Sequence, residues 1–287
     1  MQAIKDAILL LRFPFSFFLM PIFLFGLYMA EGELSSSVWM AFGILHFLVY
    51  PSSNGYNSYQ DRDEGPIGGI ENPPPPNALL FVLTILMDLV ALILAYQIHL
   101  TFTLLILVYI LFSRAYSYRG IRFKKYGVLS YFIIALFQGI VVYLLALSAV
   151  DGGILANDGK NILLGSAYAF LLLGGSYPIT QIYQHKQDEE DGVISLSAKL
   201  GIQKTFLFSE IHVGVATILL YLLLTTQQFF IYLACMLPVL IYINWWKIKT
   251  KKNPDTANFK NTMRLNLLAS VCLNAFFLYL VLGKIYF

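Results

Sequence analysis

Apolar residues dominate the chain in long runs, broken at intervals by short polar stretches. About 20 consecutive apolar residues span a bilayer as a helix. By that measure the pattern predicts spans near 8–30, 37–56, 78–97, 100–116, 127–149, 161–181, 206–225, 228–247 and 264–285. Ile98 and His99 alone separate the third and fourth, which implies a tight turn. The expected fold is all-α: a single domain over 1–287 with nine transmembrane helices around a central cavity.

Composition agrees. Hydrophobic residues make up 58% of the chain and charged residues only 12%, about half the share usual for soluble domains (~25%). A bilayer accommodates that much apolar surface; water does not. Residues 1–11 are weakly amphipathic without a small-residue cleavage site, so no cleavable signal peptide is expected. Cys235 and Cys272, the only cysteines, lie in apolar runs and read as small hydrophobes.

Charge placement sets an expected orientation. With the N-terminus in the cytoplasm, nine alternating spans put every Lys and Arg except Lys160 and Lys284 on the cytoplasmic side. Positively charged connections mark that side. Eight or ten spans would scatter the basic loops over both faces. The net charge of +3 therefore follows topology and implies no nucleic acid. No protein partner is implied either.

The polar chemistry gathers in the inner connections. The second span ends in Asn54, Asn57 and Asp61, spaced i, i+3, i+7, which puts three oxygen-bearing side chains on one helical face. Asp63 and Glu64 follow. The sixth span ends in Gln181, Gln184 and Asp188 at the same spacing, followed by Glu189, Glu190 and Asp191. Carboxylates facing one another suit a hard divalent cation such as Mg²⁺, which is often held by one or two carboxylates plus substrate phosphates. The bland alternative is a pair of solvated helix ends; two matched segments on one side weigh against it. Between them, Arg114–Tyr126 packs five cations and three tyrosines into 13 residues. Arg and Lys match diphosphate oxygens, and tyrosine hydroxyls add hydrogen bonds; a plain topogenic signal needs the cations but not the tyrosines.

Together these features resemble the UbiA superfamily of intramembrane prenyltransferases over essentially the whole chain. That family carries aspartate-rich motifs after helices two and six, of the pattern Asp-x-x-Asp-x-x-x-Asp, and a Tyr-Ser basic segment between helices four and five. Asn54, Asn57 and Asp61, with Arg62 and Pro66, fall on the first motif. Gln181, Gln184 and Asp188, followed by Leu196–Gly201, fall on the second. Tyr116 through Lys124 fits the third, and Arg12 the start of helix one. The chain departs from the pattern where amides replace the first two aspartates of both motifs.

The resemblance implies Mg²⁺-dependent transfer of an isoprenoid chain from a prenyl diphosphate to a lipophilic acceptor, aromatic or quinone-precursor in type, in a bacterial cytoplasmic membrane. It implies catalytic roles for Asp61, Asp188, Arg119, Lys124 and Tyr116. Substrate contacts would come from Asn54, Asn57, Gln181, Gln184, Arg122, Arg12 and Asp88, and metal ligands from Asp61, Asp188, Asn57, Gln184, Asp63 and Asp191. With so few carboxylates, the ion is expected to enter largely as its diphosphate complex. Asp88 is the costliest intramembrane residue, since an ionisable group mid-span requires a partner. His46, Gln138, Glu210, His212 and Asn274 are expected to hydrogen-bond between helices. Competing readings are an intramembrane terpene cyclase, and a lipid-binding or transport protein of the same fold that has lost catalysis; no inverted repeat favours transport.

Overall fold

The computed structural model describes residues 1–286 as helices joined by short connections. Among these residues seven helices are long and apolar enough to cross a membrane. They are α5 (Ala78–Tyr96), α6 (Leu100–Ser117), the continuous run Gly127–Ser148 (α7, Gly127–Ile134; a π-helical stretch, Ala135–Val141; α8, Val142–Ser148), α9 (Gly159–Thr180), α12 (Ile202–Tyr221), α13 (Thr226–Lys252) and α14 (Phe259–Tyr286).

An eighth crossing is a bent pair. α1 (Gln2–Leu10) stops at Arg12, whose backbone is left-handed (φ 50°), and Phe13–Phe18 forms a 3₁₀ turn with Pro14 inside it. α2 (Met20–Met29) then continues at 43° to what precedes it. The expected straight span 8–30 is thus broken at Arg12. The ninth rod runs from α3 (Ser36–Gly43) through a π-helical stretch (Ile44–Val49) into α4 (Tyr50–Asp61). Its second half is too polar to qualify on hydropathy, because it carries Ser52, Ser53, Asn54 and Asn57 into the bundle. Of the remaining short helices, α10 (His185–Glu190) and α11 (Leu196–Leu200) lie in the connection between α9 and α12.

The turn between α5 and α6 is as short as expected, and His99 Nδ1 caps α6 by accepting from Thr101 N (3.1 Å). Small residues let the rods approach. A Cβ on Gly26 would lie 2.5 Å from Ala146 Cβ, and one on Gly139 2.7 Å from the Ala169 carbonyl oxygen, the close backbone contact that membrane helices use in place of a hydrophobic driving force. One end of the bundle is tied shut by hydrogen bonds. Asn157 Oδ1 accepts from Glu31 N (2.9 Å), Glu31 Oε1 accepts from Asp158 N (2.9 Å), and Ser37 Oγ donates to Ala149 O (2.7 Å). The charged connections 62–77, 118–126 and 181–201 assemble at the other end.

Candidate active site

The helical spacing in α4 does what the sequence predicted: Asn54, Asn57 and Asp61 all line one cavity of ≈ 300 Å³ that enters the bundle from the charged end. The second segment reaches the same cavity differently. α9 ends at Thr180 after Pro178; Gln181 and Gln184 lie in the turn that follows, and Asp188 sits on α10. Proline inside the last helical turn removes one backbone donor, and the chain closes with a tight Gln181 N to Pro178 O bond (3.2 Å). Gln181, Gln184 and Asp188 line the cavity, although no single helical face carries them.

Asp61 is the electrostatic centre. Its side chain is 2% exposed and meets Lys124 Nζ at 2.6 Å through Oδ2. Asn57 Nδ2 donates to the same oxygen (2.7 Å) and lies 3.0 Å from Ser117 Oγ. Asp61 Oδ1 has only Arg122 nearby, at 3.7 Å, and no hydrogen-bond donor. Arg12 enters from the left-handed break before α2. Its Nη2 donates to Asn54 O (3.0 Å) and approaches Asn57 Oδ1 (3.5 Å), while Nη1 reaches Gly68 O (3.5 Å). Three buried polar atoms at the cavity lack any partner: Asn54 Nδ2, Asp61 Oδ1 and Gln181 Oε1. Buried polar groups are rarely left unpaired, so these mark places where a polar ligand completes the site.

Asp63 and Asp188 supply the other cavity carboxylates. Burial lifts the Asp63 carboxyl to about 6, with repulsion from Asp61 adding and Lys124 opposing. Burial lifts Asp188 to about 7, with Lys124 opposing and Asp63 adding. Gln187 Nε2 donates to Asp63 Oδ1 (2.8 Å) and Gln184 Nε2 to Pro66 O (3.3 Å), which ties the 62–67 loop to the segment after α9.

Three of the sequence candidates lie elsewhere. Arg119 turns from the cavity and holds the end of α4, donating from Nε to Gln60 O (2.7 Å) and from Nη2 to Asp61 O (3.2 Å). Asp191 is outside the lining, closely paired with Arg122 and 4.0 Å from Lys124. Arg122 is outside it too and contacts the site only through Asp61. Asp88 is also remote from the cavity. Arg114 pairs with it closely, Ser52 donates to it (2.6 Å), and Arg114 also contacts Thr84, forming a buried knot between α4, α5 and α6. Pairing of this kind is how a membrane interior tolerates a charge.

The structure adds Tyr177, which the sequence reading missed. Its hydroxyl meets Tyr116 OH (2.6 Å), Ser130 Oγ (2.7 Å) and Gln181 Nε2 (2.8 Å). Tyr177 stands four residues before Gln181, so extending the acidic segment's face one turn back along α9 would have found it.

Among the described residues no three His, Cys, Asp or Glu side chains gather closely enough to hold a metal alone. The donors present still fit Mg²⁺ in its substrate-assisted mode, since unpartnered Asp61 Oδ1 and Gln181 Oε1 and the Asp63 and Asp188 carboxylates offer oxygens beside space for phosphates.

The sequence matches the model of the UbiA prenyltransferase family over residues 18–268. The chain belongs to that family. Solved structures share the fold of this UbiA family member along nearly its whole length. A UbiA homologue from Aeropyrum pernix K1 in its apo form has a TM-score of 0.69 at 16% identity, covering 93% of this chain and 98% of its own. A homologue from Archaeoglobus fulgidus bound to DMAPP and Mg²⁺ has a TM-score of 0.67 at 16% identity, covering 96% and 99%. A digeranylgeranylglyceryl phosphate synthase has a TM-score of 0.63 at 21% identity, covering 98% and 99%. At these identities the fold is what is shared. No curated protein matches the sequence significantly. The protein is an integral membrane protein with a prenyltransferase fold.

Proposed function

We propose that the protein moves an isoprenoid chain from a prenyl diphosphate to a lipophilic acceptor of aromatic or quinone-precursor type. The observation that carries this reading is the polarity of the single large cavity. At its mouth stand Arg12, Lys124, Asp61, Asp63 and Asp188; beyond them the walls are Phe15, Leu19, Ile22, Phe137, Leu172 and Leu273. A charged head and an apolar tail match those two regions in order.

Arg12 and Lys124 face the diphosphate and stabilise charge as it develops on the leaving group; such preorganised donors act most strongly where water is excluded. The C1–O bond breaks heterolytically, its electrons leave with the diphosphate, and the allylic carbon bonds to the acceptor, whose displaced proton passes to the diphosphate. Mg²⁺, when bound, supplies Lewis-acid neutralisation of the same oxygens. Asp61 and Asp188 are placed to hold the ion, with Asp63 and the amide oxygens of Asn57, Gln181 and Gln184 beside them. Four amides at the motif positions leave the diphosphate a large share of the coordination, so the ion enters mainly with its substrate. The apolar walls keep water from the allylic cation, and Phe15, Phe18 and Tyr116 offer aromatic faces toward it. The cavity mouth faces the cytoplasm of a bacterial cell, in keeping with the basic connections gathered there.

The test is incubation of the purified protein with Mg²⁺, prenyl diphosphates and a panel of aromatic and quinone-precursor acceptors. Acceptor-dependent diphosphate release with a prenylated product supports the reading. Internal cyclisation without acceptor, or no release with any pair, sinks it.

A further inference from the structure

The cavity has a floor. Its deepest lining residues include Ile22 on α2, Gln138 in the π-helical stretch, Leu172 on α9 and Leu273 on α14. About one helical turn further from the mouth, the same four rods place Phe25, Tyr143, Tyr168 and Phe277, all with 0% exposure. The rings interlock: Phe25 lies 5.3 Å from Tyr143, 4.5 Å from Tyr168 and 5.3 Å from Phe277, centroid to centroid. Tyr168 and Phe277 are 6.2 Å apart. Tyr143 OH is also anchored to Asn161 O (3.0 Å). Tight approach at Gly26 and Gly165 locks the plug, since a Cβ on Gly165 would sit 2.2 Å from Tyr143 OH. Ring packing at this density leaves no channel, and moving one ring requires moving helix backbones.

The plug sets a length. From Gln181, beside the diphosphate region, to Leu172 at the floor is nine residues, or about 13 Å at ~1.5 Å rise per residue. With C–C bonds of ~1.5 Å, an extended prenyl chain advances roughly 5 Å per isoprene unit. Two units fit, a third reaches the rings, and a fourth overruns them. Volume agrees: a cavity of ~150 Å³ lined by aliphatic and aromatic side chains holds one benzene, so ≈ 300 Å³ takes a chain of that short class and little more.

We propose that the Phe25–Tyr143–Tyr168–Phe277 plug is the specificity determinant for the donor, restricting it to prenyl diphosphates of ten to fifteen carbons. This rests on the donor site proposed above.

Non-cleavable thiolodiphosphate analogues of geranyl, farnesyl and geranylgeranyl chains test it by calorimetry on the detergent-solubilised full chain with Mg²⁺ present. The ten- and fifteen-carbon analogues are expected to bind within a few-fold of each other, and the twenty-carbon analogue at least tenfold more weakly. Leu172→Phe, which raises the floor, should weaken the fifteen-carbon analogue at least tenfold relative to the ten-carbon one. Phe277→Leu should narrow the gap for the twenty-carbon chain; if that variant does not fold, the wild-type series and Leu172→Phe still decide. Equal affinity for all three lengths, or no change of preference in Leu172→Phe, overturns the plug as ruler, because the tail must then leave sideways into lipid. Absence of binding by every analogue overturns the donor site itself, and the length proposal with it.

Discussion

Replacing Lys124 by Met separates what the cation does for the fold from what it does for the reaction. Lys124 Nζ lies 2.6 Å from Asp61 Oδ2, with the two side chains 13% and 2% exposed. Unit charges ~4 Å apart at an effective dielectric of ~20 attract by about 4 kcal/mol, and that attraction offsets the desolvation of both groups. Removing one partner of a buried pair costs about 3–5 kcal/mol, because the survivor stays buried and unpaired. Arg122, 3.7 Å from Asp61 Oδ1, remains, so Lys124→Met should fall at the low end, about 3 kcal/mol. Adding Asp61→Asn removes the stranded charge, and most of that stability should return. Turnover behaves otherwise. Loss of one preorganised donor at a developing charge lowers kcat by about 10²–10³-fold, and the double variant, which also lacks the carboxylate, should be no faster than the single one. Thermal unfolding in detergent reads the first effect; diphosphate release with Mg²⁺ and a prenyl diphosphate reads the second. A single variant that keeps turnover within tenfold of the parent, or a double variant as unstable as the single one, would refute the reasoning.

Asp188→Asn should abolish Mg²⁺-dependent diphosphate release, whereas Asp191→Asn should reduce it only modestly, because Asp191 faces Arg122 and lies outside the cavity; the comparison is made in the same release assay. Raised carboxyl pKa values of about 6 for Asp63 and about 7 for Asp188 mean that the metal-free fold binds more protons than the unfolded chain above pH ~4. Its stability should therefore fall as pH rises from about 4 to 7, while Mg²⁺ affinity measured with a prenyl diphosphate analogue should rise over pH 6 to 7 as those protons leave. Asp88→Leu strands the Arg114 charge and should cost about 3–5 kcal/mol, seen as a lowered unfolding temperature, while the affinity of the surviving folded protein for a prenyl diphosphate analogue stays within a few-fold of the parent.

The part of the site carried by a regular helix was legible residue by residue. Asn54, Asn57 and Asp61 fall on one face because the helical period is local and is written in spacing alone. The membrane class and the gathering of charged connections at one end were legible for a similar reason, since apolar run length and Lys/Arg placement answer to the bilayer before any helix meets another. What the sequence left open depended on partners far along the chain or on backbone that is not periodic. Arg119, Arg122 and Lys124 share one short segment, and only its left-handed turn at Arg122 and the 3₁₀ turn after it send Lys124 to Asp61 and Arg119 to the backbone of α4. Gln181 and Gln184 copy the helical spacing of α4 but reach the cavity through a turn after Pro178. Asp88 was recognisable as costly, yet its counter-ion Arg114 is chosen by how α5 and α6 pack. The aromatic floor is the extreme case: Phe25, Tyr143, Tyr168 and Phe277 come from four rods and are unremarkable in a chain with 16% aromatic residues. Local periodicity decides which face a side chain occupies; only helix packing decides what it meets there.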